Sequence, residues 1–186
     1  MNVFLRFTLW ARKHLLKIDD RSPLERAVDN GLKIGSDPNV QGECIIDPSH
    51  CWLIEIGDDV TLAPRVHILA HDASMKRMSG FTRIGRVIIG NNVFIGAGSI
   101  VLPNVKIGNN FVIGAGSVVS RDIPDNSVAV GNPCRVIKDY YVFLEQLKSK
   151  MTRSPIFDSS YKIGTITEEK KQEMIDLLAD RIGFIE

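Results

Sequence analysis

The chain has 186 residues and carries 23 basic against 22 acidic side chains, for a formal net charge of +1. Such an even balance disfavours a protein that binds nucleic acid through many phosphate contacts. The three scattered cysteines, Cys44, Cys51 and Cys134, are typical of reduced thiols in the cytoplasm and match neither a disulfide framework nor a zinc knuckle.

The N-terminal stretch from Val3 to Ile18 mixes aromatic and aliphatic residues with cations, and it is too interrupted to span a bilayer. We predict an amphipathic helix here, within a helical cap that covers residues 1–30. The favoured role of this helix is to cover the open end of the domain that follows, since a terminal coil must hide its edge. The alternative is weak contact with an anionic membrane surface.

A six-residue repeat of aliphatic residues begins weakly at Ile34 and becomes regular from Ile89 to Val119. Six is even, so the repeating side chains leave an extended backbone on one side, and three such segments per coil make a triangular prism. Ordinary antiparallel strands would need hairpins of varied length, for which this strict phase has no room. The sequence therefore predicts an all-β, three-sided parallel β-helix over residues 31–138, with helices on either side.

Two breaks interrupt the repeat. Four extra residues lie around His50–Leu53, and residues 72–86 contain no six-residue unit at all. The second segment is polar, basic and contains glycine, which suits a loop excursion out of the coil. Long loops inside compact repeats are more often functional than accidental, so we expect the excursion to border a site.

The last part, residues 139–186, is predicted to be a helical tail. Apolar residues at helical spacing define one helix from about Asp139 to Met151. The sequence Thr165-Ile166-Thr167-Glu168 resembles a capping box and predicts a second helix, which carries Met174, Leu178 and Ile182 and stops at Gly183.

The repeats from Ile84 to Ile123 run into an Asp-Ile-Pro turn at 122–124 and then into Gly-Asn-Pro-Cys-Arg-Val-Ile at 131–137. This combination resembles the hexapeptide-repeat acyltransferases, and within them the maltose/galactoside O-acetyltransferase group. The resemblance covers about residues 34–138. It implies a left-handed parallel β-helix, a homotrimer, and acetyl-CoA bound in the cleft between neighbouring subunits.

Among the histidines, only His71 stands directly before the long excursion, where a substrate could be enclosed. The similar transferases also place their active histidine here, although many have His-Pro where this chain has His71-Asp72. Transfer of acetyl from a thioester to an alcohol needs a base for the hydroxyl proton, and imidazole groups titrate near neutral pH. We therefore predict that His71 is the general base of a direct transfer in a ternary complex.

Three alternatives to this mechanism stay open. His67 lies four residues before His71, so a His67–His71 pair with His50 would suit a zinc enzyme of the γ-carbonic anhydrase kind. The terminal motif argues against that enzyme, and we expect no metal in the reaction. A nucleophilic cysteine is disfavoured because Cys134 lies in the block that follows the β-helix and Cys51 lacks an evident partner. A non-catalytic solenoid would be favoured if His71 faced the interior.

For acetyl-CoA, the resemblance implies backbone contacts at Ala97 and Ala115, which are eighteen residues apart and so lie above one another. Phe94 stands where relatives often carry Trp, and Lys138 where they often carry Arg. Cations suit the phosphate end of the coenzyme. The positions implied for the pantetheine and phosphate end are Ser120, Arg121, Arg135 and Lys138.

For the acceptor, Asp47, Trp52 and Asp72 flank the expected cleft. Carboxylates and an indole face suit an array of sugar hydroxyls, so we expect these three residues to bind substrate. The predicted acceptor is a hydroxyl of a sugar or a polysaccharide precursor. The amino group of an amino sugar and a hydroxyl of an antibiotic are the alternatives.

Overall fold

The computed structural model describes residues 21–186, and the helix predicted for residues 3–18 lies outside this range. The chain forms two compact units that divide between Ile137 and Lys138. In the part of the chain that is described, no helix is both long enough and apolar enough to cross a membrane.

The first described element is helix α1 (Pro23–Asp29), which begins at a reciprocal capping box. The Ser22 hydroxyl accepts a hydrogen bond from Glu25 N at 3.1 Å, and the Glu25 carboxylate accepts one from Ser22 N at 2.7 Å. Pro23 suits the first helical position because its missing N–H would have no partner there. Ala27 is buried, so α1 joins the core of the first unit.

Four rungs of three short strands follow α1. The first rung contains β1 (Lys33–Ile34), β2 (Asn39–Val40) and β3 (Ile45–Ile46). A 3₁₀ helix (Cys51–Leu53) precedes the second rung, which contains β4 (Ile54–Ile56), β5 (Val60–Leu62) and β6 (His67–Ile68). The chain then leaves the coil through β7 (His71–Asp72), helix α2 (Lys76–Ser79) and β8 (Arg83–Ile84).

The coil resumes after this excursion. The third rung contains β9 (Val87–Ile89), β10 (Val93–Ile95) and β11 (Ile100–Val101), and the fourth contains β12 (Val105–Ile107), β13 (Phe111–Ile113) and β14 (Val118–Val119). The strands β15 (Ser127–Val130) and β16 (Arg135–Asp139) follow.

Strands of successive rungs pair in parallel and build three sheets, one for each side of the coil. The register places the repeating aliphatic residues in three columns: Ile34, Ile56, Ile89 and Ile107; Val40, Leu62, Ile95 and Ile113; and Ile46, Ile68, Val101 and Val119. From Ile89 to Val119 these side chains are at most 2% exposed. The predicted three-sided parallel β-helix is therefore confirmed in its sheets and its inward phase.

One corner of the coil is built by asparagines with left-handed backbone. Asn92, Asn110 and Asn126 have φ between 51° and 56°, a region that Asn tolerates better than most residues. Their side chains form a ladder, in which Asn92 Nδ2 donates to Asn110 Oδ1 at 2.9 Å and Asn110 Nδ2 donates to Asn126 Oδ1 at 2.8 Å. The ladder holds the corners of three successive turns in line.

Both predicted breaks in the repeat are present. The first is the segment with the 3₁₀ helix, and the second is the excursion, which is a two-stranded antiparallel hairpin in which His71 pairs with Ile84 and Asp72 with Arg83. The amide of Gly85 then donates to Ala70 O at 2.9 Å and returns the chain to the coil.

The second unit contains helix α3 (Tyr140–Met151), β17 (Ile156–Phe157), a 3₁₀ helix (Ser159–Tyr161), helix α4 (Glu168–Leu177) and β18 (Phe184–Ile185). The side chain of Asp139 caps α3 by accepting from Tyr141 N at 2.8 Å and from Val142 N at 3.1 Å. The helix predicted over this segment is therefore present, with its first residue at Tyr140.

The second predicted helix is shorter than expected. Helix α4 ends at Leu177, before Leu178 and Ile182, because the chain turns there to form β18, which pairs in parallel with β17. The capping residue is Thr167 and not Thr165, because the Thr165 hydroxyl donates to Lys162 O at 3.0 Å inside the preceding turn. The pairing of β17 with β18 had no signal in the sequence periodicity.

Candidate active site

His71 lies where the chain leaves the second rung, at the first position of β7. Ala70 before it is fully buried, whereas the His71 side chain is 32% exposed. The antiparallel pairing with Ile84 fixes the backbone of His71 at the base of the hairpin. The ring therefore faces outward from the coil on a rigid element, which removes the interior placement that would have favoured a non-catalytic solenoid.

Asp47 follows β3 and is buried beneath His71, with no exposed surface. Its Oδ1 accepts hydrogen bonds from Ser49 N at 2.9 Å and from His50 N at 3.2 Å. Its Oδ2 accepts from Ala70 N at 2.8 Å and lies 2.5 Å from Nδ1 of His71. Burial by itself raises the pKa of Asp47, but the bonds from His71, Ala70 and Ser49 outweigh it, so the pKa is lowered.

The Asp47 contact determines which nitrogen of His71 is free. An ionised carboxylate only accepts hydrogen bonds, so Nδ1 of His71 carries the proton that points at Asp47. In the neutral ring the lone pair is then on Nε2. Asp47 orients the imidazole, and a general base has this arrangement with its supporting carboxylate.

Two further rings lie beside this pair. The ring centroid of His50 is 5.3 Å from that of His71 and 5.3 Å from that of Trp52. Trp52 is 54% exposed. One ligand atom from each of Asp47, His50 and His71 lies within 4.8 Å of the others, so these three side chains could hold a metal ion.

The structure changes the role expected for Asp47. A fully buried carboxylate whose two oxygens accept four hydrogen bonds from the protein has no free oxygen for an acceptor sugar. The prediction that Asp47 binds substrate is therefore replaced by a role in holding His71. The sequence carried one sign of this role, since Asp47 immediately precedes the first break in the repeat.

Asp72 and His67 have positions that differ from those expected from the sequence. Asp72 accepts from Ser74 N at 2.9 Å and from Arg83 at 2.7 Å, so it ties the two strands of the hairpin together. His67 lies on β6 and, within the described residues, does not belong to the group of side chains that could hold a metal. The pairing of His67 with His71 expected for a zinc enzyme is thus replaced by Asp47 and His50.

The two cysteines weighed as nucleophiles are buried. Cys51 is 1% exposed and its thiol donates to Asn30 O at 3.4 Å, whereas Cys134 is 2% exposed. Burial raises the pKa of the Cys134 thiol, although contacts with Ser117 and Arg135 oppose the change. Because the thiolate is the reactive form, neither residue has the environment of a catalytic cysteine.

The residues predicted for the coenzyme lie on outer positions of the coil. Phe94 is 44% exposed on β10, in register with Thr61 and Val112 of the adjacent rungs. Ala97 and Ala115 occupy the same corner of successive rungs, where Gly116 N donates to Ala97 O at 2.9 Å. The stacking that the eighteen-residue spacing predicts is confirmed, and contact with acetyl-CoA stays a prediction.

The polar positions expected near the phosphates are also accessible. Ser120, Arg121 and Arg135 are exposed, and Arg135 donates to the carbonyl oxygen of Cys134 at 2.9 Å. Lys138 belongs to the second unit, where its ammonium donates to the side chain of Gln146. The coenzyme role of these four residues likewise stays a prediction.

Comparison with known proteins places the chain among transferases. Residues 86–121 match the family described as bacterial transferase hexapeptide (six repeats). Protein CapG of Staphylococcus aureus is 41% identical over 133 residues, which cover 68% of this chain and 77% of CapG. The chain spans about half the length of further curated relatives that it matches.

Two solved structures are also similar. The crystal structure of a maltose O-acetyltransferase from Clostridium difficile 630 is 48% identical, with a TM-score of 0.52 and 59% of each chain covered. A galactoside acetyltransferase in complex with coenzyme A is 39% identical, with a TM-score of 0.50, and the match covers 59% of this chain and 56% of that chain.

The described residues form a parallel coil of six-residue repeats with an outward histidine at a long hairpin, and the comparisons place this coil in a family of transferases. The chain belongs to the hexapeptide-repeat acetyltransferases, and it is similar to galactoside and maltose O-acetyltransferases over part of their length. Membership implies the left-handed sense of the coil.

Proposed function

We propose that the protein transfers acetyl from acetyl-CoA to a hydroxyl group of a sugar or a polysaccharide precursor. The observation that carries this proposal is the pair of Asp47 and His71, with Oδ2 to Nδ1 at 2.5 Å, at the base of the hairpin. It supplies an oriented base at an accessible position. The family supplies the acyl donor, since a similar structure holds coenzyme A.

The reaction is a direct transfer. Nε2 of His71 takes the proton of the acceptor hydroxyl while its oxygen attacks the thioester carbonyl. The tetrahedral oxyanion is held by a backbone N–H near the rungs. When the intermediate collapses, the C–S bond breaks, the thiolate of coenzyme A takes the proton from His71, and the ester is released. Asp47 keeps its negative charge throughout and stabilises the imidazolium.

The coenzyme lies along the outer corners of the coil in this proposal. The stacked backbones at Ala97 and Ala115 form a regular row on successive rungs, along which we place the pantetheine arm. Phe94 offers an exposed apolar face on β10, and the exposed cations Arg121 and Arg135 suit the phosphates. Ser120 completes the set on the coil, and the role expected for Lys138 rests on the family resemblance alone. We infer that the functional form is a homotrimer with acetyl-CoA in the cleft between subunits.

The acceptor lies on the hairpin side of His71. Trp52 exposes 54% of its surface one ring beyond His50, and an indole face packs well against a sugar ring. Asp72 lies next to His71 along the chain. Two of the similar proteins are named for maltose and galactoside, which supports a saccharide acceptor.

The test is incubation of the purified protein with acetyl-CoA and a panel of neutral sugars, nucleotide sugars, amino sugars and antibiotics that carry a hydroxyl group. We expect coenzyme A release with a neutral or nucleotide sugar and a product whose acetyl group is cleaved by hydroxylamine, as esters are. A product that resists hydroxylamine would indicate N-acetylation of an amino sugar. Release with an antibiotic hydroxyl alone would contradict the saccharide assignment.

A further inference from the structure

His50, which lies beside Asp47 and His71, has a buried polar atom without a hydrogen-bond partner. Its Nδ1 is buried and lacks a hydrogen-bond partner, and in the part of the chain that is described no other buried side-chain nitrogen or oxygen atom does. A buried polar atom without a partner costs free energy, so native structures rarely leave one unexplained. The atom lies in the segment between β3 and β4, where His50 packs between Trp52 and His71.

The surroundings of this atom match the ligands of a transition metal. His50, His71 and Asp47 offer two imidazoles and one carboxylate, and one ligand atom of each lies within 4.8 Å of the others. A tetrahedral zinc ion binds imidazole nitrogen and carboxylate oxygen at about 2.0–2.2 Å. Ligand atoms then stand somewhat over 3 Å apart, so side-chain shifts on the order of 1 Å would close the site.

We propose that Asp47, His50 and His71 bind a divalent transition-metal ion such as Zn²⁺, and that the bound ion switches the transferase off. The metal site stands on this geometry alone, whereas the inhibition rests on the proposed function. A neutral imidazole has one lone pair and one N–H. Nδ1 is the nitrogen of His71 that faces Asp47, so an ion held by both residues replaces the Nδ1 proton and thereby frees Oδ2 from that hydrogen bond. The ring proton must then sit on Nε2.

With the metal on Nδ1 and the proton on Nε2, His71 has no lone pair for the acceptor hydroxyl, so proton transfer stops. The ion is thus an inhibitor that competes for the base, and not a partner in acetyl transfer. The site leaves out His67, and this separates it from the His67–His71 arrangement considered from the sequence.

Binding is tested first, without any acceptor. Metal-free protein is titrated with Zn²⁺ in a calorimeter and with Co²⁺ by absorption, at fixed pH. We expect one ion per chain. His50→Gln should weaken binding by at least about tenfold, the loss that removing even an outer partner of a metal ligand causes. His67→Gln, the matched control on β6, should bind as the wild type does.

Inhibition is tested second, with acetylated product counted by mass spectrometry because free coenzyme A binds zinc through its thiol. We expect Zn²⁺ to lower the rate of the wild type and of His67→Gln, with the ratio of rates with and without metal returning towards one in His50→Gln. Absence of stoichiometric binding, a cobalt spectrum of thiolate ligands, or equal binding by His50→Gln would overturn the site. Activation by Zn²⁺ would overturn the inhibition.

The two proposals fail separately in these experiments. Metal binding without acetyl transfer in the metal-free protein would contradict the proposed function and leave the site intact. Acetyl transfer without metal binding would support the proposed function and contradict the metal site.

Discussion

Replacement of Asp47 by Asn tests the carboxylate that holds His71. Oδ2 accepts from His71 and from Ala70 N, and Oδ1 accepts from Ser49 N and His50 N. An amide has one oxygen, so its NH₂ must face backbone N–H groups on one side or the other. With the NH₂ towards His71, the ring is forced to accept at Nδ1, and Nε2 then carries the proton and is no longer a base.

The expected loss of activity in Asp47→Asn follows from these contacts. Loss of one hydrogen bond to a charged group is worth about 1.5–3 kcal/mol, or roughly 10- to 150-fold in rate. Inversion of the tautomer costs more, up to about 10⁴-fold in triads of comparable geometry. We therefore expect Asp47→Asn to lower kcat by about 10²- to 10⁴-fold. The unpaired buried donor should also lower the free energy of unfolding by about 1–3 kcal/mol.

The assay measures kcat and KM by coenzyme A release with the acceptor found in the panel, at a temperature where thermal unfolding shows the variant to be folded. The matched control is Asp58→Asn, in which a corner carboxylate bound to Ser36 N at 2.7 Å is changed without touching His71. Its kcat should equal that of the wild type. A folded Asp47→Asn protein as active as this control would refute the role of Asp47.

Two further predictions concern packing and the cysteines. A Cβ at Gly96 would lie 2.5 Å from Ala115 N, so Gly96→Ala should lower the free energy of unfolding in urea by about 1–3 kcal/mol. The control is Gly42→Ala, which should have little effect because no atom of a non-adjacent residue lies within 4 Å of the added Cβ. Equal stabilities of the two variants would contradict the stacking of the rungs. Because burial raises the pKa of Cys134, its alkylation in the folded protein should require more alkaline pH than alkylation in the unfolded chain, and Cys134→Ala should retain acetyl transfer. Loss of activity in that folded variant would instead support a thiol mechanism.

The coil could be predicted because the six-residue period of its inward side chains is visible in the sequence. Within each uninterrupted run, every inward aliphatic residue follows the last by six, and the register stacks Ile113 on Ile95, eighteen residues apart, as the period requires. The two breaks were visible for the same reason, since they are the places where the phase fails. Handedness, in contrast, has no signature in the spacing, and it comes from the family.

The pair of Asp47 and His71 was only half predictable. His71 was marked by its position at the start of the excursion, but Asp47 lies 24 residues earlier, and their contact depends on how two rungs stack after a break of irregular length. A carboxylate before an irregular segment could face solvent or the coil. The three-dimensional structure is needed to show that Asp47 is buried beneath the imidazole.

Helices outside the coil were harder to place. The capping box at Ser22 and Glu25 with Pro23 between them was a local signal for α1 that the broad prediction of a cap over residues 1–30 did not use. Helix α4 ends early because β17 and β18 pair over long range, and helical spacing of Leu178 and Ile182 cannot report a competing sheet contact.

The most direct test of the account is the rate of acetyl transfer by His71→Ala, compared with His67→Ala on the neighbouring strand. We predict that His71→Ala loses about 10²- to 10⁴-fold in kcat while its Kd for acetyl-CoA stays at the wild-type value, because general-base catalysis contributes a factor of that size and the donor binds elsewhere. His67→Ala should keep its rate. A folded His71→Ala protein with wild-type kcat would contradict the claim that this imidazole takes the acceptor proton.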